Sequence, residues 1–236
     1  ILLAGLYARG DTIVREPMRS RDHTERLLRR LGVTIIEEED SALRLSPPDA
    51  PWRVAQLSVA PDLSSAAFLL GASVVTRSTE LVVETGVNPT RTGILDVLER
   101  MGRRPICDAL PDIDGEPVAR VRIVADDSTF TGCVVEGDAT LRAIDEVPLL
   151  GALAAFARGT TTIRDAQELR VKESDRLART REMLEAFGAS CVELDDGIVV
   201  EGRGGSVLRP ATFDAAGDHR MAMAAAVMAL GVEGAS

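Results

Sequence analysis

The chain has 236 residues, of which 45% are hydrophobic and only 3% aromatic, and its formal net charge is −10. This length allows one large domain or two small ones, and the composition implies a core filled by Leu, Val, Ala and Ile. Such an acidic chain is a poor candidate for non-specific nucleic-acid binding, which depends on a basic surface. A small anionic substrate is not excluded, because a local cluster of cations outweighs a distant acidic surface.

The sequence gives no signal for a membrane span or a metal site. No apolar run reaches the roughly 20 residues that span a bilayer. Cys107, Cys133 and Cys191 lie far apart, and together with the two histidines they provide no metal-ligand spacing. We therefore expect reduced, structural cysteines in a cytoplasmic protein that holds no metal.

Both ends of the sequence lie in apolar segments that read as helices. The sequence opens with ILLAGLYARG, without an initial Met or a capping residue, and it closes with HRMAMAAAVMALGVEGAS. We therefore expect the chain to be a piece of a longer protein.

A repeat organises the chain. Three helix ends share one pattern, in which a glycine typical of a left-handed cap follows an apolar and charged run: LLRRLG (27–32), VLERMG (97–102) and MLEAFG (183–188). Before each end, an Ala/Leu-rich helix leads into a β-branched strand, and after each end comes a pair of strands. These copies predict units of helix, strand, helix, strand and strand, with a fourth copy beginning at AAAVMALGVEG.

Hairpins and one domain boundary follow from the turn signals. VTIIEEEDSALRLS (33–46) predicts one hairpin, and SCVELDDGIVVEG (190–202) predicts another with Asp196–Gly197 as a type I′ turn. The stretch SPPDAPWRVAQ (46–56) interrupts the first unit. A new helix then starts in PDLSSAAFLLGAS, with Ser64 or Ser65 near its cap, so we place a domain boundary near residues 56–62.

The densest charged stretch is ELRVKESDRL (168–177), which holds the only lysine of the sequence, Lys172. We predict a helix over 172–187 with one core-facing stripe formed by Leu177, Leu184 and Phe187. Lys172, Glu173 and Arg176 then fall in its first turn, with the two cations as i,i+4 neighbours.

Two cations at the positive end of a helix oppose its macrodipole, and they suit an anion that also accepts hydrogen bonds from free backbone amides. Lysine adds a compact donor whose pKa shifts readily, unlike that of a guanidinium. In the alternative interpretation the stretch is a solvated face, on which Glu173 and Asp175 pair with Arg176 and Arg179.

Two further helix starts carry charged groups. RAIDEVPLL (142–150) places Asp145 and Glu146 before an apolar helix, which is also what an ordinary helix N-terminus looks like. GDHRMAMAAAV (217–227) places His219 and Arg220 at another start, where the alternative is an Asp218 cap with a solvated histidine. Helix N-termini that converge on one cleft would suit a multiply anionic ligand.

These segments, together with SRDHTERLL and PDLSSAAFLLGAS, resemble the 5-enolpyruvylshikimate-3-phosphate synthase family in its bacterial forms. RVKESDR and DHRMAM are the most specific of them. The resemblance implies an α+β fold, the enolpyruvyl transferase fold, with inverse α/β barrel-like domains built from βαβαββ units and incomplete in this chain. Residues 1–58 would form the C-terminal part of the inserted domain, and residues 59–236 most of the other domain, truncated at its C-terminus.

The reaction that the resemblance implies transfers the enolpyruvyl group of phosphoenolpyruvate to the 5-hydroxyl of shikimate 3-phosphate and releases phosphate, within aromatic amino-acid biosynthesis. Asp145 would be the base at the shikimate hydroxyls, and Glu173 the proton carrier at the methylene carbon. Lys172 would reach the shikimate side and the transferring centre. The other implied residues bind substrate: Ser20 the shikimate phosphate, and Arg176, Arg220 and the adjacent His219 phosphoenolpyruvate.

The same resemblance implies a monomeric full-length enzyme without a cofactor, with no nucleic-acid or membrane partner. His23 stands where some members have tyrosine, and Glu168 where some have asparagine. Several of the family's binding segments are absent from the sequence, so we expect the 236-residue chain alone to be inactive. The alternatives are UDP-N-acetylglucosamine 1-carboxyvinyltransferase, an RNA 3′-phosphate cyclase-like protein and a non-catalytic module.

Overall fold

The computed structural model describes residues 1–39, 42–49, 56–124 and 129–234, and the predicted repeat is present in them. Most of the stretch 46–56, taken above as an interruption of the first unit, lies outside the described residues. Each repeat unit supplies two helices and a small sheet. The elements of the first unit are α1 (Leu2–Gly5), β1 (Thr12–Val14), α2 (His23–Arg30), β2 (Thr34–Glu37) and β3 (Leu43–Ser46).

The later units follow the same order with longer elements. The second comprises α3 (Leu63–Thr76), β4 (Val83–Gly86), α4 (Gly93–Arg100), β5 (Arg104–Ile113) and β6 (Glu116–Val124). Two short elements, β7 (Val134–Val135) and α5 (Asp138–Arg142), precede the third unit, which comprises α6 (Val147–Phe156), β8 (Arg158–Ile163), α7 (Arg176–Ala186), β9 (Ser190–Leu194) and β10 (Gly197–Arg203). The third unit also has 3-10 helices at Ile144–Glu146 and Gln167–Val171, and α8 (His219–Leu230) opens the predicted fourth copy.

Each unit builds its sheet in one way. The third strand of the unit lies between the other two, which gives the orders β1-β3-β2, β4-β6-β5 and β7-β8-β10-β9. Neighbouring strands in these sheets run antiparallel, except β7 and β8, which are parallel. The shared order shows that the repeat read from the sequence is a repeat of topology.

The predicted glycine caps are confirmed. Gly32, Gly102 and Gly188 follow α2, α4 and α7 with φ of 83°, 83° and 85°, the left-handed conformation that a residue with a Cβ avoids. Ser64 and Ser65 lie near the cap of α3, as predicted: the cap residue is Asp62, whose side chain accepts hydrogen bonds from the backbone amides of both serines.

The turn predicted at Asp196–Gly197 was wrong. Gly197 pairs with Leu194, so the two-residue turn is Asp195–Asp196, and neither residue has the positive φ of a type I′ turn. The turn with that conformation is Asp114–Gly115, where φ is 47° and 90° between the paired residues Ile113 and Glu116.

Helices form the inside of the apolar core that joins the second and third units. Every residue of α6 from Val147 to Ala155 is buried, and this helix packs against α3, α7 and α8 and against the inner face of β8 and β10. A helix that is apolar all round is typical of such a position. Among the described residues, no helix is both long and apolar enough to cross a bilayer.

The first unit has an apolar cluster of its own. Leu2, Leu28, Val33, Ile35 and Leu45 pack together, separately from the core that joins the second and third units. The polar starts of α6, α7 and α8 nevertheless come close to the loop before α2, and this is where the predicted site residues lie.

Candidate active site

Asp145 is the centre of the site. It lies in the 3-10 turn before α6, largely buried, with its Oδ2 atom 2.5 Å from Nη2 of Arg21 and 3.6 Å from Nη2 of Arg220. Its Oδ1 atom is 3.7 Å from Nη1 of Arg176. One carboxylate therefore sits among three guanidinium groups that come from three different parts of the chain.

These cations keep Asp145 ionised. Burial by itself raises the pKa of Asp145, but the hydrogen bond from Arg21 and the charges of Arg220, Arg21 and Arg91 outweigh it, and the pKa lies below its ordinary value. An ionised carboxylate of this kind can accept a hydrogen bond from a ligand hydroxyl and take up its proton.

Arg176 joins the starts of α7 and α8. Its side chain is 1% exposed, with Nε 2.8 Å from Oδ2 of Asp218 and Nη2 2.5 Å from Oε2 of Glu173. Asp218 also accepts hydrogen bonds from Ser174 Oγ and from the backbone amide of Arg220. Burial raises the pKa of Asp218, but the hydrogen bonds from Arg176, Ser174 and the amide of Arg220, together with the charge of Arg176, lower the pKa by more.

The burial of Arg176 argues against the alternative in which the charged stretch is a solvated face. The pair of Glu173 and Arg176 that this alternative predicted is present, but a fully buried arginine held by two carboxylates does not belong to a solvated face. Arg179 pairs with Glu182 on the exposed side of the same helix. A ligand anion would reach Nη2 of Arg176 by taking the place of Glu173, whose side chain is 55% exposed.

The predicted helix start at Lys172 was wrong. The 3-10 helix Gln167–Val171 ends before this lysine, and α7 begins only at Arg176, because the side chain of Asp175 caps it by accepting from the amide of Ala178. Lys172 is therefore not a helical neighbour of Arg176. Its ammonium group forms an ion pair with Glu168 instead.

Lys172 and Ser20 face one cavity, which we call the cationic cavity. Its volume is about 280 Å³, and it lies where the loop before α2 meets the residues around α5 and α7. Its lining contains three cations and one acid, Glu168, and consists of Arg19, Ser20, Arg21, Thr90, Leu141, Ile144, Glu168 and Lys172. The hydroxyl of Ser20 donates a hydrogen bond to Glu16 at 2.6 Å.

The predicted start of α8 is confirmed, with the Asp218 cap and the solvated histidine of the alternative interpretation. Asp218 caps the helix by accepting from the amide of Arg220, and His219, the first helical residue, is exposed. Arg220 is folded back toward the site, where its Nη1 atom donates to the backbone oxygen of Asp145 at 3.4 Å. Of the seven predicted residues, Asp145, Glu173, Arg176 and Arg220 are linked by direct contacts, and Ser20 and Lys172 line the adjacent cavity.

Sequence reasoning missed a hydrogen-bonded group next to Asp145, formed by Glu146, Ser64 and Arg91. Glu146 is 1% exposed and accepts a hydrogen bond from Ser64 Oγ, which in turn accepts one from Arg91. Burial raises the pKa of Glu146, and the hydrogen bond of Ser64 and the charge of Arg91 oppose this only in part. Arg21 was missed as well, although it stands directly after Ser20 in the segment SRDHTERLL.

Comparison with known proteins identifies the chain. The family model described as EPSP synthase (3-phosphoshikimate 1-carboxyvinyltransferase) matches residues 1–236. The chain belongs to this family. Among curated proteins, the 3-phosphoshikimate 1-carboxyvinyltransferases of Desulforudis audaxviator and Synechocystis are each 46% identical to it, over 98% and 99% of the chain. The chain spans about half of the length of these relatives, 52% in both cases.

Two solved structures agree with this chain in fold. An EPSP synthase from Acinetobacter baumannii superposes with a TM-score of 0.85 and 34% identity over 98% of this chain and 53% of its own. The enolpyruvyl transferase NikO from Streptomyces tendae, at 24% identity, matches with a TM-score of 0.68 over 98% of the chain and 51% of its own, which shows the shared fold. The expected enolpyruvyl transferase fold is therefore confirmed for this member of the EPSP synthase family.

Proposed function

We propose that this chain forms about half of a 3-phosphoshikimate 1-carboxyvinyltransferase, which joins phosphoenolpyruvate to the 5-hydroxyl of shikimate 3-phosphate. A bond forms between the 5-oxygen and C2 of phosphoenolpyruvate, while the hydroxyl loses a proton and the methylene carbon gains one. The methyl group then returns a proton as the C–O bond to phosphate breaks, which releases inorganic phosphate. The observation that carries the proposal is the ionised Asp145 among Arg21, Arg176 and Arg220, beside the cationic cavity.

The cationic cavity is the proposed place of shikimate 3-phosphate. Lys172 and Arg21 supply charge for its phosphate and carboxylate groups, and Ser20 supplies a hydroxyl donor. Asp145 lies next to this cavity, because its ion-pair partner Arg21 and its chain neighbour Ile144 both line the cavity. Its carboxylate is the proposed acceptor for the proton of the reacting hydroxyl.

Phosphoenolpyruvate belongs on the other side of Asp145 in this proposal. Arg176 and Arg220 would hold its anionic groups, with His219 beside them at the start of α8. Glu173 is the proposed proton carrier, because its carboxylate is half exposed yet tied to Arg176 at 2.5 Å. A proton donor and a base on different elements can serve opposite faces of the reacting carbon.

The proposed domains are residues 1–58 and 59–236, with the site between them. The separate apolar cluster of the first unit supports this division. Polar contacts bridge the two parts: His23 Nδ1 lies 2.8 Å from Oε1 of Glu116, and Asn88 donates to Asp22 at 2.7 Å. Such a polar interface is typical of domains that move relative to each other.

The test is an assay of phosphate release by the protein expressed from its complete reading frame. Release is expected only when shikimate 3-phosphate and phosphoenolpyruvate are both present. Release with UDP-N-acetylglucosamine as the acceptor, and none with shikimate 3-phosphate, would contradict the proposal. We also propose that the full-length protein is a monomer, which size-exclusion chromatography of the same protein tests. The three unpaired cysteines support a cytoplasmic location, where thiols stay reduced.

A further inference from the structure

Each cation of the cationic cavity is already engaged by a carboxylate. Arg21 is paired with Asp145 at 2.5 Å, Arg19 with Glu37 at 3.5 Å, and Lys172 with Glu168. Only the last of these carboxylates also lines the cavity. Glu168 therefore lies in the space that an anionic ligand of Lys172 would enter.

The pair of Glu168 and Lys172 is not an ordinary consequence of helix geometry. The two residues are four apart, but Glu168 lies in the 3-10 helix Gln167–Val171 and Lys172 lies beyond it with an extended backbone, at φ −82° and ψ −155°. In a continuous α-helix that spacing brings side chains together automatically. Here the contact depends on both side chains turning toward the cavity.

The exposure of the two side chains shows which of them is free to leave. Lys172 is 27% exposed and Glu168 is 55% exposed. An ammonium group has three donors, and one of them is engaged by the carboxylate of Glu168, which lines the cavity together with Lys172. A half-exposed carboxylate regains water when it is displaced, so its release costs little compared with the release of a buried one.

We propose that Glu168 is a built-in competitor for Lys172, whose carboxylate holds the ammonium group in the free enzyme and must be displaced by the anionic ligand. Glu168 thereby sets the affinity of the cavity for anions. This inference rests on the proposed function, in which the ligand is shikimate 3-phosphate. The change Glu168→Gln removes the competition while keeping a polar side chain of similar size.

The experiment measures the dissociation constant of shikimate 3-phosphate by calorimetry on the protein expressed from its complete reading frame. Glu168→Gln should bind about two- to fivefold more tightly than wild type, the range that corresponds to one partly exposed ion pair. Glu168→Asp keeps the charge and should bind within twofold of wild type. Asp165→Asn removes the same charge three residues earlier, where Asp165 accepts from the amide of Gly137, and it should leave the dissociation constant unchanged.

Each other outcome has a definite meaning. Equal or weaker binding by Glu168→Gln would overturn the inference and leave the proposed function intact. Equal tightening by Asp165→Asn would also overturn it, because the effect would then come from net charge alone. If none of the four proteins binds shikimate 3-phosphate while circular dichroism shows all of them folded, the proposed function fails, and the inference fails with it.

Discussion

The Nη2 atom of Arg21 lies 2.5 Å from the Oδ2 atom of Asp145, a residue 124 positions further along the chain. Arg21 belongs to the loop before α2 in the first unit, and Asp145 to the turn before α6 in the third. The pair therefore connects the two proposed domains at the point where the reacting hydroxyl is proposed to lie. Any movement of the first unit away from α6 would remove one of the three cations that surround Asp145.

Asp145→Asn should lower turnover by about two to four orders of magnitude, since an amide cannot accept the proton of the hydroxyl. The measurement is kcat for phosphate release at saturating substrates. Asp138→Asn, on the exposed face of the neighbouring α5, is the matched control and should retain wild-type turnover. Wild-type turnover in Asp145→Asn, with its fold intact, would remove Asp145 from the reaction.

Lys172→Arg should also be damaging, although the charge is kept. A guanidinium is larger and planar, is effectively never deprotonated, and cannot act as a compact point donor in a cavity of about 280 Å³. The reciprocal swap Arg179→Lys, in an exposed pair with Glu182 on α7, provides the control and should be neutral. The comparison is of kcat/KM for shikimate 3-phosphate, and equal values for Lys172→Arg and wild type would favour a solvated lysine without a role in binding.

Glu173→Gln should reduce turnover by about two to four orders of magnitude while the protein still binds both substrates. Glutamine retains the hydrogen bond to Arg176 through its amide oxygen but cannot carry a proton. Glu182→Gln, an exposed change on the same helix, should leave kcat unaltered. A loss of substrate affinity with an unchanged kcat would assign Glu173 to binding and not to proton transfer.

The repeat could be predicted from the sequence because the signals for its helices, strands and caps lie within each unit. Apolar helices, β-branched strands and a capping glycine follow one another within each copy, and these signals depend on near neighbours in the chain. Asp218 as the cap of α8 was visible for the same reason. What the sequence could not show was which of several local signals a distant contact would override.

Gly197 is an example of such a contact. Its sequence Asp-Gly predicts a turn, but a Cβ at this position would lie only 1.9 Å from the backbone oxygen of Ile163 in β8. The glycine is therefore needed for the close approach of two strands, and the turn moves to the two preceding aspartates. At Lys172 the deciding contact is local instead: the cap by Asp175 sets where α7 begins.

The partners of Arg21, Arg176 and Glu146 were beyond the sequence for a related reason. Each of these side chains finds its counter-charge or hydrogen bond on another element, so no local pattern marks it. The resemblance predicted that Arg176 belongs to the site, but it did not predict Arg21 or Glu146, and the contacts of these three side chains with distant elements were predicted for none of them.

Glu146 is the buried carboxyl next to Asp145 in the turn before α6. Burial raises its pKa above the ordinary value of 4.5, against the hydrogen bond from Ser64. A carboxyl with a raised pKa in the folded state favours folding fully below its unfolded pKa, and this contribution is lost as the pH rises through the folded pKa. Wild type should therefore lose stability relative to Glu146→Gln as the pH increases from about 4.5, because glutamine stays neutral and its oxygen still accepts from Ser64.

Thermal unfolding of both proteins at pH 5 and pH 8 measures this difference. Glu146→Gln should melt at a higher temperature at pH 8, by about 2–4 °C for each 1 kcal/mol of relieved penalty, and its advantage should be smaller at pH 5. All other titrating groups are common to the two proteins and largely cancel in the difference. An advantage that does not grow between pH 5 and pH 8, or a variant that is less stable at pH 8, would show that Arg91 and Arg220 already stabilise an ionised Glu146 in the folded protein.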